Sequence, residues 1–133
     1  MMGICYDEFK KKERKILAHT VDKYCDDLQL LKKAKKYVHD DTFIRTKLIY
    51  DSADILLFLP GGTGTISEFF SMLEENRTTE TPKKIILFNY DNFFDKLLDL
   101  IAFISKEKFN NQNNYDYFKV ITKIEELYKE MVN

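Results

Sequence analysis

The residues with the most chemistry to offer lie together in Pro60-Gly61-Gly62-Thr63-Gly64-Thr65-Ile66-Ser67-Glu68. Three of the four glycines in the chain fall here. The stretch follows an unbroken apolar run, Ile55-Leu56-Leu57-Phe58-Leu59, which reads as a parallel-sheet strand buried on both faces. Behind it Ile66, Phe69, Phe70 and Leu73 recur at helical spacing, so a helix from about Thr65 to Asn76 packs one face on the sheet. A strand, a glycine loop and a helix N-terminus make an anion site. Free N–H groups and the positive end of the helix dipole favour phosphate there, with Gly61, Gly62, Thr63, Gly64 and Thr65 as the candidate donors. Glycine suits such a loop by taking positive φ and by letting a ligand come close. A P-loop would need Gly-Lys-Ser/Thr, and no lysine stands here. A dinucleotide fingerprint would need a third glycine where Ser67 stands. Glu68 has two readings. Thr65-Ile66-Ser67-Glu68 has capping-box spacing, which would make the carboxylate a partner of its own helix start. Alternatively Glu68, off the Ile66–Phe69–Leu73 stripe and leaning toward the helix N-terminus, faces a ligand on the loop.

The rest of the chain must position these groups. Its 133 residues fit one domain, residues 1–133, and a hydrophobic share of 44% can fill a core. A net charge of −1 gives no basic footprint for nucleic acid. No apolar run is long enough for a membrane, and the acidic, lysine-rich start is not a signal peptide, so a cytoplasmic protein is expected. Cys5 and Cys25 read as free thiols. Asn110-Asn111-Gln112-Asn113-Asn114 reads as a solvated loop.

In chain order, a short helix spans Ile4 to Lys12 and a strand spans Lys15 to Val21. Asp26 or Asp27 caps a helix whose stripe is Leu28, Leu31, Lys35 and Val38, with Leu30 and Ala34 beside it. Asp40-Asp41-Thr42 starts another helix, which runs to Asp51. After the glycine loop and its helix, Lys84 to Asn89 is a second buried strand. Asn92 caps a helix carrying Phe93, Leu97, Leu100, Ile101 and Ile104. Phe118 to Ile121 is a last strand, and Thr122 caps the final helix through Leu127 to Met131. Strands alternating with helices predict an α/β, Rossmann-like three-layer fold with a parallel sheet, whose ligands bind at the carboxyl ends of the strands. His19 reads as a hydrogen-bonded structural histidine and His39 as a surface one. Phe69-Phe70 and Phe93-Phe94 read as core or subunit contact. Met72 shares with Glu68 a second helix face, off the core stripe.

Pro60 to Glu68 resembles the P-G-G-x-G-T-x-x-E signature of the Lonely Guy family, phosphoribohydrolases often labelled lysine decarboxylases, and matches it at every fixed position. Arg45 stands where that family carries an arginine on the preceding helix, and Asp54 where it carries an aspartate before the central strand. Lys84 to Leu98 and Thr122 to Leu127 are similar to its later strand and helices, and Met2-Gly3 to the tail of its glycine motif. The resemblance implies hydrolysis of the N-glycosidic bond of a nucleoside 5′-monophosphate, a cytokinin riboside monophosphate or an AMP-like one, to free base and ribose 5-phosphate. Glu68 and Arg45 would be its catalytic residues. It implies no metal and no cofactor, and a homodimer with the active site near the interface. Relative to the family, the chain lacks the N-terminal strands, so it reads as N-terminally truncated. The family's Arg-Lys pair is Arg45-Thr46 here, and its methionine is Thr42. The alternative is a catalytically inactive nucleotide-binding or interaction module of the same descent.

Overall fold

The computed structural model describes residues 2–24, 32–109 and 117–132. The chain divides into two compact units, Met1–Ser52 and Ala53–Asn133. Both are built of parallel strands alternating with helices, as a Rossmann-like α/β fold requires.

The first unit runs α1 (Met2–Lys11), β1 (Leu17–Val21), a single 3-10 turn at Asp22–Tyr24, β2 (Lys35–His39) and α2 (Thr42–Ser52). β1 and β2 pair in parallel, from Leu17 opposite Lys35 to Val21 opposite His39. Tyr6 anchors α1: its ring is buried against Ile16, Ala18 and Ala34, and its hydroxyl accepts the Lys33 N–H at 2.9 Å. The start of α2 is capped as its sequence suggests, with Asp41 Oδ1 accepting the Ile44 N–H at 2.8 Å. α2 packs on both strands of this sheet.

The helix expected up to Val38 is corrected here: Lys35–His39 is a strand. The helical stripe needed a lysine at an apolar position, whereas Tyr37 and Val38 suit an extended backbone that the ladder with β1 satisfies. Asp26, Asp27, Leu28, Leu30 and Leu31 lie outside the described residues, as do Cys25 and the tract from Asn110 to Asn114. Cys5 is a free, half-buried thiol.

The second unit runs β3 (Ile55–Phe58), α3 (Thr63–Thr78), β4 (Lys84–Phe88), a 3-10 turn at Tyr90–Asn92, α4 (Asp95–Lys106), β5 (Lys119–Ile121) and α5 (Ile124–Val132). Its parallel sheet has the order β3-β4-β5. β4 is the middle strand, and Ile85, Ile86 and Leu87 are each 2% exposed or less. On one face Ile86 and Ile121 pack with Leu127 of α5, flanked by Ile55 and Phe88. On the other, Phe69 of α3 meets Phe58 and Phe118 edge to face, at 5.3 and 5.1 Å between ring centres. The unit is thus a sheet with helices on both faces.

Several local expectations change. In β3, Leu56 and Phe58 are buried but Leu57 is exposed, because β3 ends this sheet instead of lying at its centre. Met72 is buried with Phe69, Leu73 and Asn76, so it belongs to the core of α3 and not to a spare face. In α4 only Leu97 and Ile101 are fully buried, while Phe93 and Leu100 are exposed. Asn92 does not cap α4: it sits at φ 59°, next to Asp91 at φ 51°. The buried Asn89 organises that start, accepting the Phe94 N–H at 2.7 Å and donating to Asp95 Oδ1 at 2.8 Å. At α5 the carbonyl of Lys123, not Thr122, accepts the first helical bonds. Glu126 reaches back to the N–H groups of Thr122 and Lys123, which hold its carboxyl below the ordinary range.

One buried side chain ties three elements together. Asn76, near the end of α3, accepts the Lys83 N–H at 2.8 Å and donates to the carbonyls of Lys83 and Tyr117 at 2.8 and 3.3 Å. It thereby fixes the residues just before β4 and just before β5. At the same end of the sheet, Lys84 donates to the Glu130 carbonyl and Lys119 pairs with the Glu130 carboxylate. We expect Asn76→Ala to cost about 2–3 kcal/mol, because it strands one buried donor and two acceptors. Asn76→Asp is expected to be at least as damaging, since its second oxygen would face two carbonyls. The urea midpoint, with the slope unchanged, measures both.

Candidate functional site

The glycine loop lies at the carboxyl end of β3, where its strand delivers it straight into α3. Gly62 is the N-cap, extended at φ −79° and ψ −163°, with no side-chain cap and no acid in the first turn of the helix. The helix therefore starts two residues earlier than its apolar stripe suggests. Its carbonyl accepts the Thr65 N–H at 3.0 Å and the Ile66 N–H at 3.3 Å. The Thr65 amide is thus used within the turn, and the amides of Thr63 and Gly64 are the ones that a helix start leaves without an intrahelical acceptor. With no acid in the first turn of α3, the positive end of the dipole favours an anion there.

None of the glycines takes positive φ, which corrects the first reason given for them. Gly61 is required by close approach: a Cβ there would stand 2.2 Å from Thr65 Oγ1. The Thr65 side chain lies back over the loop at Gly61. Gly62 and Gly64 face open space, so their missing side chains leave bare backbone.

Glu68 is half-buried on α3. With the N-cap at Gly62, the third helical position belongs to Thr65, so Glu68 is not the carboxylate of a capping box. It stands one turn beyond Gly64 on the same side of the helix, and helix side chains lean toward the N-terminus. The loop donors and Glu68 thus share one continuous segment. Arg45 is half-buried on α2 in the first unit, where its N–H bonds the Asp41 carbonyl at 3.2 Å. Asp54 is exposed just before β3.

One polar cluster escaped the sequence reading. His19 lies mid-strand in β1 and His39 ends β2, half-buried instead of at the surface. His19 Nδ1 and His39 Nε2 are 2.9 Å apart, and the two rings are within 5° of coplanar. Tyr37 stacks on His19 at 5.0 Å, with Lys35 Nζ over the Tyr37 ring. Burial, then the charges of His39 and Arg45, push the His19 imidazole below its ordinary value. Reading Lys35-Lys36-Tyr37-Val38-His39 as a strand parallel to β1 would have put both histidines in one sheet, though not in the register that bonds them. An open depression elsewhere, between Lys84, Lys119 and Glu130, lies at the amino ends of β4 and β5, the wrong end for a ligand of this fold, and its lysines already bond Glu130.

A model of the family described as "possible lysine decarboxylase" matches residues 2–131. The chain belongs to that family. This agrees with the Lonely Guy signature carried by Pro60 to Glu68. No curated protein matches the chain. Among the described residues, no helix is long and apolar enough to cross a membrane.

Two outcomes test this account. Gly61→Ala is expected to destabilise the protein, because Thr65 must leave its place. Gly64→Ala, inside the helix and facing open space, is expected to stabilise it by up to about 1 kcal/mol. Thermal midpoints of opposite sign decide it. The lowered His19 means that the unfolded chain takes up the proton more readily. Stability is therefore full above about pH 6.5 and is lost as pH falls below it. Urea midpoints between pH 7.5 and 5.5 should fall in the wild type and fall less in His19→Gln.

Proposed function

We propose that this protein hydrolyses the N-glycosidic bond of a nucleoside 5′-monophosphate, releasing the free base and ribose 5-phosphate. The observation that carries the reading is the uncapped start of α3, with an anion-ready glycine loop and a carboxylate one turn along the same face. Family membership supports the same chemistry.

In this mechanism the 5′-phosphate rests on the amides of Thr63 and Gly64 and on the bare backbone of Gly62. That anchors the ribose over α3. The bond from C1′ to the base nitrogen breaks, its electron pair leaves with the base, and positive charge develops on C1′ and the ring oxygen. The ionised Glu68 stabilises that charge, orients the attacking water and takes its proton. The water oxygen bonds C1′, solvent delivers a proton to the base nitrogen, and Glu68 returns to solvent the proton it took, so one water is consumed and ribose 5-phosphate and neutral base result. The family resemblance gives Arg45 the phosphate or ribose oxygens, a role that a fixed cation with a planar donor fork suits. The substrate is a cytokinin riboside 5′-monophosphate or an AMP-like nucleotide.

Release of free base from AMP and from an N6-substituted adenosine monophosphate tests this. Glu68→Gln should lower kcat by about 10²–10⁴-fold with nucleotide binding kept. Binding of AMP with no release by the wild type would instead make the protein a nucleotide-binding module without turnover.

A further inference from the structure

The chain's charge of −1 averages two unlike parts. Residues 1–52 carry twelve Lys and Arg against nine Asp and Glu, whereas residues 53–133 carry nine against thirteen. Within the first unit the cations are not spread evenly. Nine of the twelve fall in two short stretches, Lys10 to Lys15 and Lys32 to Lys36, and all nine residues are exposed.

The fold brings these stretches to one place. α1 ends in a Schellman turn, in which the Glu13 N–H donates to the Lys10 carbonyl and the Arg14 N–H to the Phe9 carbonyl, with Glu13 left-handed at φ 51°. The chain then runs through Lys15 into β1. The second stretch leads into β2. The Lys33 N–H donates to the Tyr6 hydroxyl of α1 at 2.9 Å, and the Lys35 N–H donates to the Ile16 carbonyl at 2.9 Å, where Leu17 and Lys35 open the ladder. Paired strands lie about 4.8 Å apart, so the two stretches border one another at the amino end of the β1–β2 sheet. Little offsets them. Glu13 is the one acid within either stretch, and among the described residues only Lys11 of the nine is ion-paired, to Glu8 at 2.6 Å. Nor is the amino end of a sheet where this fold takes a small-molecule ligand.

The chemistry of the patch selects its partner. Eight of the nine cations are Lys, a compact point charge, and only Arg14 has the planar fork that reads a carboxylate or a guanine edge. Such a set neutralises phosphates without reading sequence. Phe9 is 53% exposed beside Lys10, and its carbonyl belongs to the same turn, so an aromatic side chain stands among the cations. Lysines with an aromatic platform suit a single strand, whose phosphates are neutralised while a base stacks. A bilayer fits less well. Asp7 and Glu8 are exposed on α1, and a helix laid on an anionic membrane would bring these carboxylates toward the headgroups.

We infer that the amino end of the β1–β2 sheet docks a single-stranded nucleic acid, with phosphates held by lysines of both stretches and a base stacked on Phe9. No base is read there and no bond is broken. The inference is independent of the hydrolysis proposed above.

The test is anisotropy of a fluorescein-labelled twenty-nucleotide oligothymidylate, and of its oligouridylate counterpart, titrated with the full chain at pH 7.5 in 50 to 200 mM NaCl. With about four phosphates neutralised, log Kobs against log salt should have a slope of about −3, and Kd should be about 1–100 µM at physiological salt. Lys12→Gln and Lys33→Gln, one from each stretch, should each flatten that slope by about 0.7, and their effects should add. Phe9→Ala should weaken binding about tenfold with the slope unchanged. Lys96→Gln with Lys106→Gln removes the same charge from exposed positions of α4 and should change nothing. Thermal midpoints close to the wild type identify the variants as folded. The inference is overturned if neither strand binds at 50 mM NaCl, if both double variants weaken binding equally, or if Phe9→Ala binds as the wild type does. Binding to vesicles containing phosphatidylserine, with none to either strand, overturns it in favour of a membrane.

Discussion

The second unit depends on β4 being shut away from water on both faces. Ile85, Ile86 and Leu87 alternate sides, so one short strand demands cover above and below. Leu127 of α5 joins the cluster of Ile86 and Ile121, and Phe69 of α3 meets Phe58 of β3 and Phe118 just before β5. A strand so buried can carry no stray polar contact along its length, and the polar fastening is moved to its ends. Asn76 and Glu130 act at the amino end, where the lysines sit. Asn89 acts at the carboxyl end, where it starts α4. The sheet is held at its rims by hydrogen bonds and in its middle by hydrocarbon.

The glycine loop shows the opposite economy. Nothing polar from a side chain closes the start of α3, and no acid sits in its first turn. In a fold that satisfies Asp41 at α2 and Glu126 at α5, an open start is a departure from local habit. Departures of that kind gather where a ligand supplies the missing partner.

Much of this was legible in the residues. Unbroken apolar runs announced β3 and β4, and the glycine cluster after Pro60 located the candidate site. What the sequence hid, it hid for physical reasons. Lys35 to His39 carries helix-compatible spacing but pairs with β1, because a ladder partner outweighs weak periodicity. Asn92 looks like a cap by type, yet Asn89 reaches the amide at Phe94 from a buried position that only the fold defines. Glu68 carried capping-box spacing until the true helix start at Gly62 moved the frame. The bond between His19 and His39 depends on strand register, which no local pattern encodes.

The hydroxyl of Thr65 lying over Gly61 has a consequence for substitution in the loop. A side chain at position 61 would collide with Thr65 Oγ1 at 2.2 Å and still crowd Thr65 Cβ at 3.0 Å. Trimming Thr65 to alanine would remove the first contact and leave the second, which a shift of a few tenths of an ångström relieves. Positions 61 and 65 therefore share one volume, and the room for a side chain at the first is set by the size of the second.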